Sequence, residues 1–541
     1  MEVHDCTLRE GEQACGISFK IDDKVRLILE LDKLGVHIVE CGWPSANPKD
    51  FEVFKKAREY SLTCKLAAFT CTRRKGRKPE NDPLVYETLK AEPDIVVVFG
   101  KAWLLHVHEV LKVSPEENIE MIVDTVQFFK DHGLEVIFDA EHFFDGYKDN
   151  PEYALKVVKT LDELKVRTIV LCDTNGGCLP HEIHDIVRQV KSHIKNSTVG
   201  VHLHNDTGCA VANTIMAVLA GAEHVQVTVN GIGERCGNAD LCQVVPNLML
   251  KLGIEALRGG VEKLRHLTHI SRLVYEMTGT IRNPYQPYVG DNAFAHKAGV
   301  HIDAVLKCRR AYEHVDPEIV GNVRRIVVSE LSGRAAVLSK LRDILGIELS
   351  KDDPRIVKAL EEIKRLEEQG LNFDHAVASA VLIVLKSLGL YREFFEILEW
   401  KVMCENIDNA RSWSWIKIRA QGRVIIEAGE GNGPVHAIDI ALRRALTKLY
   451  PEVENVELVD YKVTLLGVPK HTASTVRVDI TFTAKDTEEY WTTTYASANI
   501  VNASLHAIAQ GLDYYLQLRY LKDVIRLVRN IVQVNHVHGA K

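Results

Sequence analysis

Hydrophobic residues in the first half of the chain fall into short, mostly β-branched runs separated by longer amphipathic segments. Six runs have the character of strands buried on both faces: residues 36–40, 95–99, 135–139, 168–172, 199–202 and 224–228. Segments with helical periodicity lie between them, including residues 24–34, 119–133 and 210–220. Because strands and helices alternate without a glycine-rich dinucleotide loop, the pattern predicts an α/β fold, a TIM (β/α)8 barrel, over residues 1–275.

The pattern changes after the predicted barrel. Residues 276–404 are mostly helical in pattern and include a charged amphipathic run at 352–369. From residue 405 two strands and a helix occur twice in succession, at 412–420, 423–428 and 435–450, and again at 474–484, 490–496 and 500–518. We therefore expect helical linker subdomains at 276–404 and a C-terminal α+β domain at 405–541.

Polar side chains collect where the predicted barrel strands end. They occur in residues 9–13, 40–42, 139–142, 173–176, 202–205 and 230–238, several of them beside glycines. Catalytic residues of TIM barrels lie at the carboxyl ends of the strands, on one face of the barrel. The sequence therefore predicts a functional site on this face.

His202 and His204 lie two residues apart at the end of a predicted strand. Positions i and i+2 of a strand point to the same face, so both imidazoles can bind one metal ion. On the residues alone, two hydrogen-bonded core histidines are an equally good interpretation. Two further His-x-His triplets, one in a helical pattern and one in the C-terminal tail, are weaker candidates: residues 106–108 and 536–538.

Composition narrows the class of protein. The 541 residues are 46% hydrophobic and 26% charged, which is typical of a globular chain with several domains. The formal charge of -7 gives no basic surface for nucleic acid or an acidic membrane. The twelve cysteines form no Cys-x-x-Cys pair, and neither a secretory leader nor a membrane-spanning apolar run is present. We therefore expect a cytoplasmic protein with reduced thiols.

Three motifs resemble the DRE-TIM metallolyase family, which includes 2-isopropylmalate, homocitrate and citramalate synthases and hydroxymethylglutaryl-CoA lyase. They are LREGEQ at 8–13, VHLHND at 201–206 and GERCGN at 233–238. Further segments resemble the citramalate synthase branch of isoleucine biosynthesis: residues 42–44, 47–50, 72–76, 99–101, 139–147 and 172–177. The resemblance implies a condensation of acetyl-CoA with pyruvate, followed by thioester hydrolysis to citramalate and CoA.

The resemblance also implies a metal site. Glu10, His202, His204 and the side-chain oxygen of Asn238 would bind a divalent ion, Mg²⁺ or Mn²⁺, with Zn²⁺ as the alternative. Most citramalate and isopropylmalate synthases carry aspartate at the position of Glu10, whereas homocitrate synthases commonly carry glutamate. Two further 2-oxo acids stay open as substrates within the family: 2-oxoisovalerate for an isopropylmalate synthase and 2-oxoglutarate, which Glu10 favours, for a homocitrate synthase.

Five residues receive catalytic or binding roles from the resemblance. Arg9 would stabilise the developing oxyanion, and Thr174 would bind the substrate carboxylate. Glu141 would steer protons. His301, oriented by Asp303, would act as the general base. His296 is the competing candidate for that base.

The C-terminal repeat resembles the regulatory domain of isopropylmalate and citramalate synthases. This likeness implies a homodimer and an amino-acid effector, with isoleucine as the first candidate and leucine as the second. A lyase is disfavoured because the lyases of the family lack such an extension. A non-catalytic amino-acid sensor is the alternative from another class of protein, although all four candidate metal ligands are present.

Overall fold

A computed structural model describes residues 1–296, 298–326, 353–373, 375–405, 411–467 and 473–538. The chain divides into two units, Met1–Phe294 with Val315–Arg324 and Ala295–His314 with Arg325–Lys541. Each unit has its own hydrophobic core and is described by itself.

The first unit is built on a closed barrel of eight parallel strands that follow one another in chain order. They are β1 (Glu2–Asp5), β2 (Ile38–Gly42), β3 (Lys65–Cys71), β4 (Ile95–Lys101), β5 (Glu135–Glu141), β6 (Thr168–Asp173), β7 (Thr198–Leu203) and β8 (His224–Val227). Pairing of β8 with β1 closes the barrel, with Val225 opposite Val3. The predicted TIM barrel is confirmed.

Helices cover the outside of the barrel. They are α1 (Ile21–Leu34), α2 (Pro48–Ala57), α3 (Pro83–Leu89), α4 (Pro115–Asp131), α5 (Phe143–Asp149), α6 (Pro151–Glu163), α7 (Pro180–His193), α8 (Ala210–Leu219), α9 (Leu241–Leu250) and α10 (Leu267–Thr278). Several begin with proline, whose fixed φ and missing N–H suit the first helical position. In α4 the hydroxyl of Ser114 caps the helix by accepting from the Glu117 amide at 3.1 Å.

Alternate strand positions face two different environments. Residues such as Val96 and Val98 belong to the large apolar core, and Ile95 and Val97 belong to a separate, smaller cluster. Because successive strand residues point to opposite faces, the smaller cluster fills the barrel interior and the larger one packs against the helices. Four buried polar side chains of the strands share the parity of the smaller cluster: Glu40, Asp139, His202 and Gln226.

The second unit begins with short elements. They are β9 (Ala295–His296), α11 (Gly299–Lys307), β10 (Arg325–Ile326), α12 (Pro354–Glu368) and α13 (Val377–Leu388). The amphipathic run predicted at 352–369 corresponds to α12, and residue 352 of that run lies outside the described residues. Within the predicted helical region 276–404, residues 327–351 lie outside the described residues as well.

Two three-stranded antiparallel sheets form the rest of the second unit. The first contains β11 (Glu396–Cys404), β12 (Ser412–Ala420) and β13 (Arg423–Gly431), followed by α14 (Pro434–Thr447). The second contains β14 (Val456–Leu465), β15 (Val476–Ala484) and β16 (Thr487–Ser497), followed by α15 (Ile500–His538). The predicted repeat is present, with one additional strand at the start of each sheet. The domain boundaries stay predictions, and β11 pairs with β12 across the one placed at 405.

The cysteines and the helices have two general properties that bear on the class of protein. All twelve cysteines are free thiols. Within the described ranges, no helix combines the length and the apolar composition that crossing a bilayer requires.

Candidate active site

Three predicted metal ligands meet at the carboxyl end of the barrel. His202 lies in β7 and His204 directly follows it, and their Nε2 atoms are 3.2 Å apart. Glu10, from the turn after β1, places Oε1 3.7 Å from His204 Nε2. All three side chains are buried, and one ligand atom from each lies within 4.8 Å of the others. The two histidines therefore point to the same face, as their spacing on the strand predicts.

Asn238 reaches the same cluster from the loop after β8. Its backbone forms a bridge with His204, and its Nδ2 lies 3.2 Å from His202 Nε2. Among the described residues, Asn238 Oδ1 is buried without a hydrogen-bond partner. Half a turn of the amide would exchange the two atoms and direct this oxygen at His202 Nε2. A Cβ at Gly233 would collide with Oδ1, so the glycine provides the space in which the amide lies.

The protonation states suit a cation. Burial, together with the nearby His204, lowers the pKa of His202 to about 3, and burial also lowers the pKa of His204. Burial alone would raise the pKa of Glu10, but the Arg9 guanidinium and both imidazoles outweigh it, so the pKa lies below its usual value. At neutral pH the site presents one carboxylate and two neutral imidazoles. This donor set, with an unsatisfied amide oxygen beside it, fits a divalent metal ion.

A relay of hydrogen bonds inside the barrel fixes the His202 ring. His202 Nδ1 lies 2.7 Å from Gln226 Oε1, which can only accept, so Nδ1 carries the proton and Nε2 keeps its lone pair. Gln226 Nε2 in turn donates to Asp139 Oδ1 at 2.8 Å. Burial, together with the charge of Glu40, raises the pKa of Asp139 to about 8. Such outer partners orient metal-binding histidines.

Arg9 is held beside Glu10 by two carboxylates and an aromatic ring. Its Nε donates to Glu40 Oε1 and one terminal nitrogen donates to Glu10 Oε2. The guanidinium carbon lies 3.9 Å from the centre of the Phe69 ring. Because Arg9 is only 8% exposed, these partners offset the loss of hydration that would otherwise disfavour its charge.

Sequence reasoning missed the roles of Glu40, Asp139 and Gln226. The first two stand in strand-end segments that were recognised as polar, without assigned functions. Gln226 lies inside an apolar run of β8. A polar residue at an interior position of a buried strand is the available signal, but its use requires knowing which parity faces inward.

Thr174 and Glu141 lie at the ends of neighbouring strands, β6 and β5. The Thr174 hydroxyl oxygen accepts from the His142 amide at 2.8 Å, so its own O–H is left to donate. Glu141 forms an ion pair with Lys101, which ends β4. Both predicted residues are half-buried at the rim of the barrel.

His301 and Asp303 belong to the second unit, on α11. His301 is exposed, and its ring centre lies 4.3 Å from that of Tyr312. The Asp303 carboxylate accepts from Lys307 Nζ at 2.6 Å. Positions i and i+2 of a helix point in different directions, which argues against the predicted orientation of His301 by Asp303. The competing base, His296, has Nε2 3.1 Å from Glu313 Oε1 and is largely buried.

Comparison with protein families accounts for nearly the whole chain. Residues 1–274 match the family described as HMGL-like. This chain belongs to the HMGL-like family. Residues 288–371 match the homocitrate synthase post-HMGL domain-like family, and residues 376–516 match the LeuA allosteric (dimerisation) domain. The resemblance identified from the motifs is confirmed.

Individual relatives cover almost the full length of this HMGL-like chain. The (R)-citramalate synthase of Sulfolobus acidocaldarius is 52% identical over 96% of this chain and 98% of that protein. The (R)-citramalate synthase of Geobacter sulfurreducens is 45% identical over 95% of this chain and 97% of its own. A probable 2-isopropylmalate synthase of Archaeoglobus fulgidus is 33% identical over 97% and 99%.

Proposed function

We propose that this HMGL-like protein is a citramalate synthase. It joins the methyl carbon of acetyl-CoA to the keto carbon of pyruvate, and water then cleaves the thioester to release (R)-citramalate and CoA. The observation that carries the proposal is the near full-length identity, between 41% and 52%, to five (R)-citramalate synthases. The buried cluster of carboxylate, imidazole and guanidinium groups at the barrel rim supplies the chemistry.

Glu10, His202, His204 and the Asn238 oxygen are the proposed ligands of a divalent ion. When bound, such an ion supplies Lewis-acid polarisation of the 2-oxo acid carbonyl. Mg²⁺ and Mn²⁺ accept this mixture of oxygen and nitrogen ligands, and the two imidazoles also suit Zn²⁺. The neutral histidines and the ionised Glu10 require no proton loss to receive the ion.

Arg9 stabilises the oxyanion that develops as the new carbon–carbon bond forms. Its guanidinium stays charged, because the carboxylates of Glu40 and Glu10 raise its pKa above the usual value despite burial. Glu40 and Phe69 hold the group in place before the reaction begins. Preorganised charge of this kind is among the largest contributions to enzymatic rate.

Thr174 and Glu141 act on the substrate from the neighbouring strand ends. The free O–H of Thr174 donates to the pyruvate carboxylate, while its oxygen is fixed by the His142 amide. Glu141 steers protons, and its ion pair with Lys101 holds the carboxylate at the end of β5.

His301 is the proposed base that removes a methyl proton from acetyl-CoA. An exposed imidazole is accessible to a thioester, whereas the competing His296 is engaged by the buried Glu313. Asp303 contributes negative charge to the same helix. Because Lys307 pairs with the Asp303 carboxylate, we propose that Asp303 influences the His301 imidazole less than the sequence alone suggests.

The region that matches the LeuA allosteric (dimerisation) domain carries the proposed regulation. We infer that the protein forms a homodimer and that a branched-chain amino acid binds this region as a feedback effector. Isoleucine is the first candidate, because the proposed reaction produces an isoleucine precursor.

Glu10 supports a second candidate substrate. Glu10 occupies a position where glutamate is common in homocitrate synthases, which would favour 2-oxoglutarate. A purely sensory protein is disfavoured, because the described ligand cluster is intact and its donors are in the protonation states that metal binding needs.

The experiment that tests the proposal measures thiol release from acetyl-CoA in the presence of pyruvate. Protein stripped by a chelator should release no thiol, and added Mn²⁺ or Mg²⁺ should restore the activity. His204→Ala should abolish turnover while thermal unfolding stays close to that of the wild type, because few ligands hold the ion. His193→Ala, which changes an exposed histidine of α7, should remain fully active. Full activity of the stripped protein would contradict the proposal.

A further inference from the structure

A second group of potential ligands lies at the barrel rim, outside the cluster of Glu10, His202 and His204. His106, Glu141 and His142 each offer one ligand atom, and these atoms lie within 4.8 Å of one another. His106 begins a π-helical turn (His106–Leu111) after β4, Glu141 ends β5, and His142 follows directly. We propose that these three residues, the rim site, bind a transition-metal ion of the zinc type.

The surroundings of His142 match those of a metal-binding histidine. Its Nδ1 lies 3.0 Å from Asp145 Oδ2, so the carboxylate fixes the proton on Nδ1 and leaves the lone pair of Nε2 available. The backbone of His142 has a φ of 54°, which is uncommon for residues other than glycine. Strained backbone of this kind concentrates at ligand-binding positions. The ring centre of His142 is 4.5 Å from that of His106.

His106 contributes a nitrogen that the protein leaves unsatisfied. Among the described residues, its Nδ1 is buried and has no hydrogen-bond partner. Trp103 stacks on His106 with ring centres 5.3 Å apart and limits solvent on that side. An unsatisfied buried nitrogen is costly, and a bound cation would remove that cost.

The ligand types determine which ion fits. Two imidazoles and one carboxylate are the ligands of three-residue zinc sites, in which water takes the fourth position. Mg²⁺ and Ca²⁺ prefer oxygen ligands and are poorer candidates for this set. Lys101 forms an ion pair with Glu141, so its ammonium opposes the incoming ion. The rim site is therefore expected to take Zn²⁺ or Co²⁺, with an affinity that Lys101 restrains.

Occupation of the rim site has a consequence for turnover. Glu141 would serve as a ligand and would no longer steer protons, so zinc binding and catalysis compete for one carboxylate. This consequence rests on the proposed function, whereas metal binding at the rim site does not.

Equilibrium dialysis measures how many Zn²⁺ ions each protein molecule binds. The visible absorption of bound Co²⁺ provides a second measurement. Wild-type protein should bind two equivalents. One equivalent should remain in His106→Ala and in the double variant His202→Ala/His204→Ala, and none in the variant that combines all three changes. Circular dichroism establishes that each variant is folded.

Affinities measured in the His202→Ala/His204→Ala background isolate the rim site. Asp145→Asn should raise the dissociation constant for Zn²⁺ by about 10–100-fold, because it removes the outer partner of His142. Lys101→Met should lower it. His108→Ala is the matched control, since this exposed imidazole lies on the same π-helical turn and points elsewhere, and it should leave the dissociation constant unchanged.

Three outcomes would overturn the inference. They are a single equivalent in the wild type, a second equivalent that survives His106→Ala, and equal effects of His106→Ala and His108→Ala. Zinc inhibition of the Mn²⁺-loaded enzyme tests the competition separately. It should weaken in His106→Ala but not in His108→Ala, and equal inhibition of all three proteins would exclude competition for Glu141.

Discussion

At the scale of single residues, His202 shows how the barrel interior prepares a ligand. One ring nitrogen faces Glu10 and His204, and the other is fixed by Gln226, which is itself held by Asp139. Rotation of the His202 ring would break this relay, so the lone pair is aimed before any ion arrives. The free energy of metal binding should therefore depend on residues that never contact the metal.

Gln226→Leu tests this dependence. The leucine is similar in size to glutamine but removes the acceptor for His202 Nδ1 and the donor to Asp139. We expect the affinity for Mn²⁺, measured by titration calorimetry, to fall by about 10–100-fold. Gln189→Leu, an exposed position on α7, is the control and should bind normally. Unchanged affinity in Gln226→Leu would show that the relay does not orient the ring.

The residue types alone identify part of the site. Glu10, His202, His204 and Asn238 stand in recognisable motifs, and strand periodicity explains why the two histidines converge. The sequence pairs His106 with His108, and in a helical pattern these two side chains diverge. In the structure the neighbour of His106 is His142, which comes from a different strand end. Contacts between separate strand ends depend on barrel closure, which local spacing does not encode.

At the scale of elements, the strands with continuous apolar runs were predictable and others were not. β1 has the sequence EVHD, in which Glu2 and His4 alternate with the outward-facing Val3, and β3 contains two alanines in seven residues. β11 and β14 expose most of their residues, so their runs contain many charges. In each case burial or pairing within the whole fold outweighs the local preference.

The packing of α15 buries a carboxyl group that should report on pH. Asp513 is 7% exposed, accepts from the Tyr391 hydroxyl at 2.8 Å and accepts from Gln517 Nε2 at 3.1 Å. Burial raises its pKa from 3.8 to about 6, despite these hydrogen bonds. The folded protein therefore holds a proton that the unfolded chain releases. Its contribution to stability is complete below about pH 4 and is lost as the pH rises through about 6.

Asp513→Asn should remove this pH dependence, because the amide resembles the protonated acid. Relative to the variant, the wild type should lose up to about 3 kcal/mol of unfolding free energy between about pH 4 and pH 7. Urea unfolding of both proteins across this range measures the difference. The exposed Asp460→Asn should show no such trend. A constant difference between wild type and Asp513→Asn would contradict the raised pKa.

At the scale of the whole molecule, periodicity predicts a barrel followed by a repeated α+β region. It does not locate the exact boundaries, because β11 and β14 lack a strong signal and part of the linker lies outside the described residues. Apolar residues of α12 and α13 share one core with both C-terminal sheets. Removing the sheets would expose this core, so regulation is better tested on the full chain.

The proposed regulation predicts selective inhibition by an amino acid. Initial rates of thiol release should fall most with isoleucine, less with leucine and least with valine, each at millimolar concentration. An effector that binds the C-terminal region acts by favouring one conformation over another, so it should also raise the melting temperature in the same order. If none of the three alters rate or melting temperature, the C-terminal region serves dimerisation alone.

The substrate preference tests the central claim most directly. Values of kcat/KM should be measured with acetyl-CoA and each of pyruvate, 2-oxobutyrate, 2-oxoisovalerate and 2-oxoglutarate. A citramalate synthase should prefer pyruvate, and each added methylene should reduce binding by about 1–3 kcal/mol, so residual activity on 2-oxobutyrate is expected. Preference for 2-oxoglutarate, the substrate that Glu10 would favour, or for 2-oxoisovalerate would contradict the assignment.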